Sequence, residues 1–155
     1  MEKIYADDGT LLFEGTFKNN RRTGLCRTYY PNGRIMFEAT YVAGRREKQA
    51  TIYYESGTPQ IECCFYKDYE NAEWRYFYES GITQSIVTYK DGELNGKASF
   101  FHENGTIAQA GEFYKNRRCG TWLFYDEAEK QTGTIEYRDI HATITGNALE
   151  ELPSY

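Results

Sequence analysis

Glycine returns in this chain at a fixed interval. Gly9, Gly33, Gly57, Gly81 and Gly105 stand 24 residues apart, each closing a polar run between two strand-like segments. Two aromatic columns keep the same step: Phe17, Tyr41, Phe65, Tyr89, Phe113 and Tyr137, and Tyr29, Tyr53, Phe77, Phe101 and Tyr125. A period of this size means a tandem array whose units each bury an apolar face against their neighbours.

Each unit reads as two strands and two turns. In the first full unit the strands are Leu11 to Lys18 and roughly Gly24 to Pro31. Asn32-Gly33 is a hairpin signal, since a two-residue type I′ turn needs φ > 0 at both central residues. The other turn column, Asn20, Gly44, Asp68, Gly92 and Asn116, holds residue types that tolerate φ > 0 and reads as the first central position of a second two-residue turn. A four-residue loop is the alternative at the Asn20 end.

These turns set a register. A turn at Asn20-Arg21 places Phe17 opposite Gly24, Gly15 opposite Cys26 and Phe13 opposite Thr28. A turn at Asn32-Gly33 places Tyr30 opposite Ile35, Thr28 opposite Phe37 and Cys26 opposite Ala39. The two agree in parity, and a one-residue slip would reverse every side chain. The packed face so defined holds Phe13, Phe17, Phe37, Tyr41, Ile52, Ile61, Phe65, Trp74, Tyr76, Val87, Tyr89, Phe100, Phe113, Trp122 and Phe124.

The expected architecture is all-β: an elongated, single-layer, twisted antiparallel meander of about six 24-residue hairpin repeats, roughly 55–60 Å long at ~4.8 Å per strand. As one domain, it divides into an N-terminal edge strand in 1–9, repeats over 10–138 and a C-terminal cap in 139–155. In the cap, "NALEELPSY" reads as a short helix with Asn147 as its N-cap and Pro153 as its stop. Pro59 sits at a strand start, and Ala72 and Glu129 replace glycine at two repeat positions.

On the opposite face Arg27 falls between Glu14 and Glu38, and Arg75 lies across from Glu62. Beside them runs the row Leu12, Tyr29, Met36, Tyr53, Gln60, Phe77, Gln84, Phe101, Ala108 and Tyr125. Its aromatic members, with Met36, form the leading candidate partner surface, because aromatics dominate binding hot spots. Stacking that stiffens a single-layer sheet is the structural alternative. Charges divide between the two long edges. Arg21, Arg22, Arg45, Arg46, Arg117 and Arg118 form a candidate basic edge, interrupted by Asp68, Glu70, Asp91 and Glu93. Asp7, Asp8, Glu55, Glu79, Glu103, Asp126 and Glu127 line the other edge.

The formal net charge of -5 argues against nucleic acid as a partner. The chain holds 15 Tyr, 9 Phe and 2 Trp at a mean hydropathy of -0.75, which suits a thin sheet with wet hydroxyls. No apolar run is long enough to span a membrane and no secretory leader is visible, so a cytoplasmic location is expected. Cys26, Cys63, Cys64 and Cys119 lack metal-ligand spacing and are expected as free thiols. His102 takes the position of Tyr30, Tyr54 and Tyr78 in sister units and reads as a packing substitute. With no catalytic constellation in the sequence, a non-catalytic protein without a cofactor is expected.

"FEGTFKNNRRTGLCRTYYPNG", Phe13 to Gly33, resembles a MORN repeat, matching the aromatic and glycine pattern at Phe13, Gly15, Phe17, Gly24, Tyr29, Tyr30 and Gly33. "AGEFYKNRRCGTWLFYDE" matches again through Gly111, Phe113, Gly120 and Trp122. The extra residue after the turn glycine makes the unit similar to the bacterial MORN-variant repeats, over about residues 3 to 138. That resemblance implies an elongated hairpin sheet and a non-catalytic binding or scaffold role. It also implies an antitoxin or immunity protein with a protein partner, such as a toxin encoded nearby. A membrane-peripheral or self-associating scaffold is the alternative it implies.

Overall fold

Alternation of Phe13, Gly15 and Phe17 with Glu14, Thr16 and Lys18 suits a strand with one buried face. The computed structural model describes residues 1–138 and repeats this pattern through thirteen strands. They are β1 Glu2–Tyr5, β2 Leu11–Lys18, β3 Arg21–Tyr29, β4 Ile35–Val42, β5 Arg45–Tyr53, β6 Pro59–Tyr66, β7 Tyr69–Glu70, β8 Ala72–Phe77, β9 Thr83–Lys90, β10 Glu93–Phe101, β11 Ile107–Tyr114, β12 Arg117–Tyr125 and β13 Gln131–Tyr137. They pair in chain order in one open antiparallel sheet, with β7 beside β8 on β6. The helix expected within 139–155 lies outside the described residues.

The turns differ from the expected ones, and the difference is compensated. The Asn20 end is a two-residue turn one position earlier, at Asn19-Asn20, with φ of 52° and 57°. Lys18 pairs with Arg21 and Phe17 with Arg22, so Phe17 is not opposite Gly24. An irregularity opposite Gly15, with Gly24 at φ 70°, then restores Phe13 opposite Thr28. Asn20 and its equivalents are therefore the second central residue of a type I′ turn. At the other end Tyr30 N–H donates to Arg34 O at 2.8 Å and Gly33 N–H to Tyr30 O at 2.9 Å, a three-residue loop closed by a left-handed glycine. Tyr29, not Tyr30, faces Ile35, and Met36 is the extra residue before Thr28 meets Phe37. Two bulges per unit cancel two turn errors, which is why the face assignment survives them.

The core is a stripe along the inward face. Phe13, Tyr41, Phe65, Trp74, Val87 and Trp122 are buried there with Cys26, Ala39, Ala50, Cys63 and Ala98. Every residue expected on the packed face belongs to this cluster or packs against it, except half-buried Ile52. Large and small residues alternate across strands. Trp74 and Trp122 share a column with Cys26, Ala50 and Ala98, and each indole N–H donates to a backbone carbonyl, Cys64 O at 3.1 Å and Glu112 O at 3.2 Å. Gly111 is required beneath Trp122, because a Cβ there would run into the indole ring.

Consecutive hairpins are also tied along both long edges. At the type I′ edge, Gly44 N–H donates to Arg22 O (2.9 Å), Asp68 to Arg46 O (3.1 Å), Gly92 to Glu70 O (2.9 Å) and Asn116 to Leu94 O (3.0 Å). At the other edge the hydroxyls of Tyr30, Tyr54 and Tyr78 donate to the carbonyls of Tyr53 (2.6 Å), Phe77 (2.7 Å) and Phe101 (2.9 Å). His102 extends this series, its Nε2 lying 3.0 Å from Tyr125 O, so the ring nitrogen must carry the proton there. A single layer without a second sheet is thus braced at the centre and at both margins.

Candidate functional site

The inward face carries the buried stripe flanked by half-buried aromatics, and the outward face carries a second set of side chains. Register places one outward residue per strand on a straight line across the sheet: Lys3, Glu14, Arg27, Glu38, Thr51, Glu62, Arg75, Ile86, Ser99, Ala110, Leu123 and Thr134. The line changes character at Ile86: it is mostly charged before that residue and uncharged from it onward.

The first part is paired within itself. Arg27 reaches Glu38 at 3.0 Å and Glu14 at 3.1 Å, and Lys3 lies 3.8 Å from Glu14. The Tyr53 hydroxyl donates to Glu38 Oε1 at 2.9 Å. Interaction with the Tyr29 hydroxyl first, and with Arg27 second, holds the Glu14 carboxyl below its ordinary range. Burial, reinforced by Glu14, pushes the Tyr29 phenol up to about 12, and burial with Glu38 raises Tyr53. Arg75 does face Glu62 in register but turns to Glu73 on its own strand, at 2.9 Å.

The second part has no such network. Ile86, Ser99, Ala110 and Leu123 are half-buried, with Phe101 two residues along β10 and Tyr125 two along β12 on the same face. A hollow of about 430 Å³ opens here, floored by Ala98 and Gly111 and walled by Lys97, Glu112, Cys119 and Leu123 among others. An equivalent hollow of about 510 Å³, two repeats earlier, is lined instead by Glu62, Glu73 and Arg75. Both lie in units whose inward face carries tryptophan.

The aromatic ladder expected as the leading surface, Tyr29, Tyr53, Phe77, Phe101 and Tyr125, is half-buried throughout, and Met36 beside it is 37% exposed. Ring-to-ring contacts among the described residues join inward aromatics, such as Phe65 with Trp74 at 5.3 Å and Phe113 with Trp122 at 5.2 Å, rather than ladder members. The arginine edge is divided by strand parity. Arg22, Arg46 and Arg118 turn inward over aromatic rings: Arg46 lies 4.0 Å from the Phe65 centroid, Arg118 4.0 Å from Trp122, and Arg22 5.0 Å from Phe13. Arg21, Arg45 and Arg117 are exposed on the outward side. Gly9, Gly33, Gly57, Gly81 and Gly105 close their loops at φ between 82° and 93°.

Among the described residues no group of His, Cys, Asp and Glu could hold a metal ion, and Cys26, Cys63 and Cys64 are free thiols. Cys63 is buried and its thiol is pushed up to about 12 by that burial, which makes it a core residue rather than a nucleophile. No helix among the described residues is long and apolar enough to cross a membrane.

Sequence reasoning found the Arg27 network but missed the change along the line. The signal was available in the columns, where Glu14, Glu38 and Glu62 are followed by Ile86 and Ala110.

The MORN repeat variant model matches residues 1–19, 22–43, 46–68, 70–91 and 94–116, so the chain belongs to the MORN repeat variant family. Such repeats suggest a binding or scaffold module, and the family is generally non-enzymatic. No curated protein matches the chain. Among solved structures, one described as the crystal structure of a GtfA/B complex bound to UDP and GlcNAc is 15% identical, with a TM-score of 0.29. That match covers 74% of this chain and 23% of the other.

Proposed function

We propose that this chain is a non-catalytic protein-binding module of the antitoxin or immunity kind, acting in the cytoplasm through its outward sheet face. The observation that carries the reading is the change at Ile86. Lys3, Glu14, Arg27 and Glu38 in the first part already pair with one another, and stripping water from them for a partner is costly. The stretch Ile86, Ser99, Ala110 and Leu123, with Phe101 and Tyr125, loses water at little cost and offers aromatic anchors. The acidic loops along the far edge, of which Glu55, Glu79, Glu103 and Glu127 are exposed, would steer a basic partner such as a toxin toward the sheet.

The test is made in the native host. Deleting this gene releases toxicity from a neighbouring gene, and the purified chain retains that gene's product. Leu123→Glu abolishes retention while leaving the sheet's circular dichroism intact. A host that tolerates the deletion, together with a chain that retains no protein, would sink the proposal.

A further inference from the structure

We propose that the outward side of the type I′ tips between β2 and β7 is a second docking surface, shaped for a partner protein segment that carries carboxylates around an apolar side chain. The proposal rests on the reading of the chain as a protein-binding module, but on different residues.

Exposed apolar side chains gather at these tips. Leu25 is 44% exposed, Val42 54%, Tyr66 51% and Tyr69 60%. Register puts them on one surface. Leu25 pairs with Thr40, two residues before Val42 on β4, Val42 pairs with Arg45 across the turn, and Tyr66 pairs with Tyr69.

Cations are set among them. Lys18 pairs with Arg21 at the first tip, Arg45 faces Val42, and the Lys67 ammonium lies 4.9 Å from the Tyr66 ring centroid. Among the described residues Lys18, Arg21 and Arg45 make no ion pair, whereas Arg27 and Arg46 are both engaged by carboxylates. Glu47, half-buried, is the one carboxylate that strand parity puts on this side of β2 to β7 near the tips. Asp68 in the neighbouring turn is already held by Arg46 at 3.1 Å.

The first tip also carries a hollow of about 450 Å³ lined by Lys18, Asn19, Arg21, Thr23 and Ala43, with donors and no carboxylate on its wall. A seat for anions therefore adjoins an apolar, aromatic platform, on a chain whose net charge is -5. Arg and Tyr are the residues from which interface hot spots are built, and unpaired exposed cations select partners of opposite charge. The fourth tip lacks this character, because Lys90 faces Glu93. That break argues for a compact acidic segment rather than an extended anionic surface such as a membrane.

The probe is a synthetic peptide with a leucine flanked by glutamates, titrated into the isotope-labelled full chain. A second peptide has glutamine at each glutamate, and phosphatidylserine vesicles form a third arm. The acidic peptide shifts the amides of Val42, Arg45, Tyr66 and Tyr69. Arg21→Glu with Arg45→Glu weakens it about tenfold or more, with Arg45→Gln intermediate, as expected when paired charges are reversed. Arg117→Glu, outside the patch, leaves it unchanged. Three results overturn the proposal: equal binding of the glutamine peptide, shifts confined to other surfaces, or attachment to vesicles without attachment to the peptide. Should the acidic peptide fail to bind while the chain still retains the native partner through β9 to β12, the tips are not a docking surface, yet the binding function stands.

Discussion

The two halves of the outward face share one backbone and differ in what stands on it. In the N-terminal half, Glu14 and Glu38 clamp Arg27, and Tyr29 and Tyr53 bring hydroxyls to those carboxylates. In the C-terminal half the equivalent carboxylate positions hold Ile86 and Ala110, and the ladder position beside Ile86 is Phe101. Ile86 with Phe101 loses both the carboxylate and the hydroxyl, whereas Ala110 loses the carboxylate while Tyr125 beside it keeps a hydroxyl. The inward face shows no such break, since its stripe runs from Phe13 to Trp122. The repeat is thus held by inward packing and edge hydrogen bonds, while the outward line is free to diverge.

Inward substitutions test the common scaffold and have the largest expected effects. Trp122→Ala, which empties a fully covered site, costs about 3–5 kcal/mol in urea unfolding. Cys26→Ala, in the same column of the first unit, costs about 1 kcal/mol or less, because little volume is lost. Comparable losses at both positions would show that the tryptophan alternation does not organise the sheet.

Next come substitutions that separate the halves. Arg27→Met removes the cation between Glu14 and Glu38 and costs about 1 kcal/mol, less at high salt because the cluster is partly exposed. Leu123→Glu changes stability by no more than about 0.5 kcal/mol, as a half-exposed surface substitution, yet removes partner retention. A large stability loss from Leu123→Glu would place that side chain in the core and not on a binding face.

Acid should act on one half. The Glu14 carboxyl is held low in the folded chain, so its contribution is complete above the ordinary carboxylate pKa and is lost as pH falls through the folded value. Hydrogen exchange followed downward in pH is expected to show β1 to β4 opening before β10 to β12. Simultaneous opening would deny the Arg27 cluster any local role.

One expected effect is a gain. Lys48 and Ala72 occupy the bulge position of Gly24 at φ of 65° and 60°, where a side chain is strained. Lys48→Gly or Ala72→Gly should raise stability by about 0.5–1 kcal/mol, read as a higher urea midpoint.

Much of this was legible in the chain itself. A period of 24, the Phe17 and Tyr29 columns, and alternation about Gly15 were enough to give the meander and nearly all of its core. Local backbone detail was not. Nothing distinguishes Asn19-Asn20 from Asn20-Arg21 until the pairing of Lys18 with Arg21 is seen, because asparagine tolerates φ > 0 at either place. The inward turn of Arg22, Arg46 and Arg118 follows from the same parity as Phe17, which pairs with Arg22, but a charged side chain beside a turn reads as solvent-facing until the ring beneath it is seen. The small core residues Ala39, Ala50 and Ala98 fall on the inward face by register, but how deeply they are buried depends on the neighbours that cover them.

The central claim is that recognition lies on the uncharged part of the outward line. A photo-crosslinking amino acid placed singly at Ser99 and at Thr51 tests it, since both stand on that line, on either side of Ile86. In native host extract, one discrete adduct is expected from Ser99, carrying the neighbouring gene's product, and none from Thr51. An adduct from Thr51 alone, or from neither position while the partner is still retained, would contradict it.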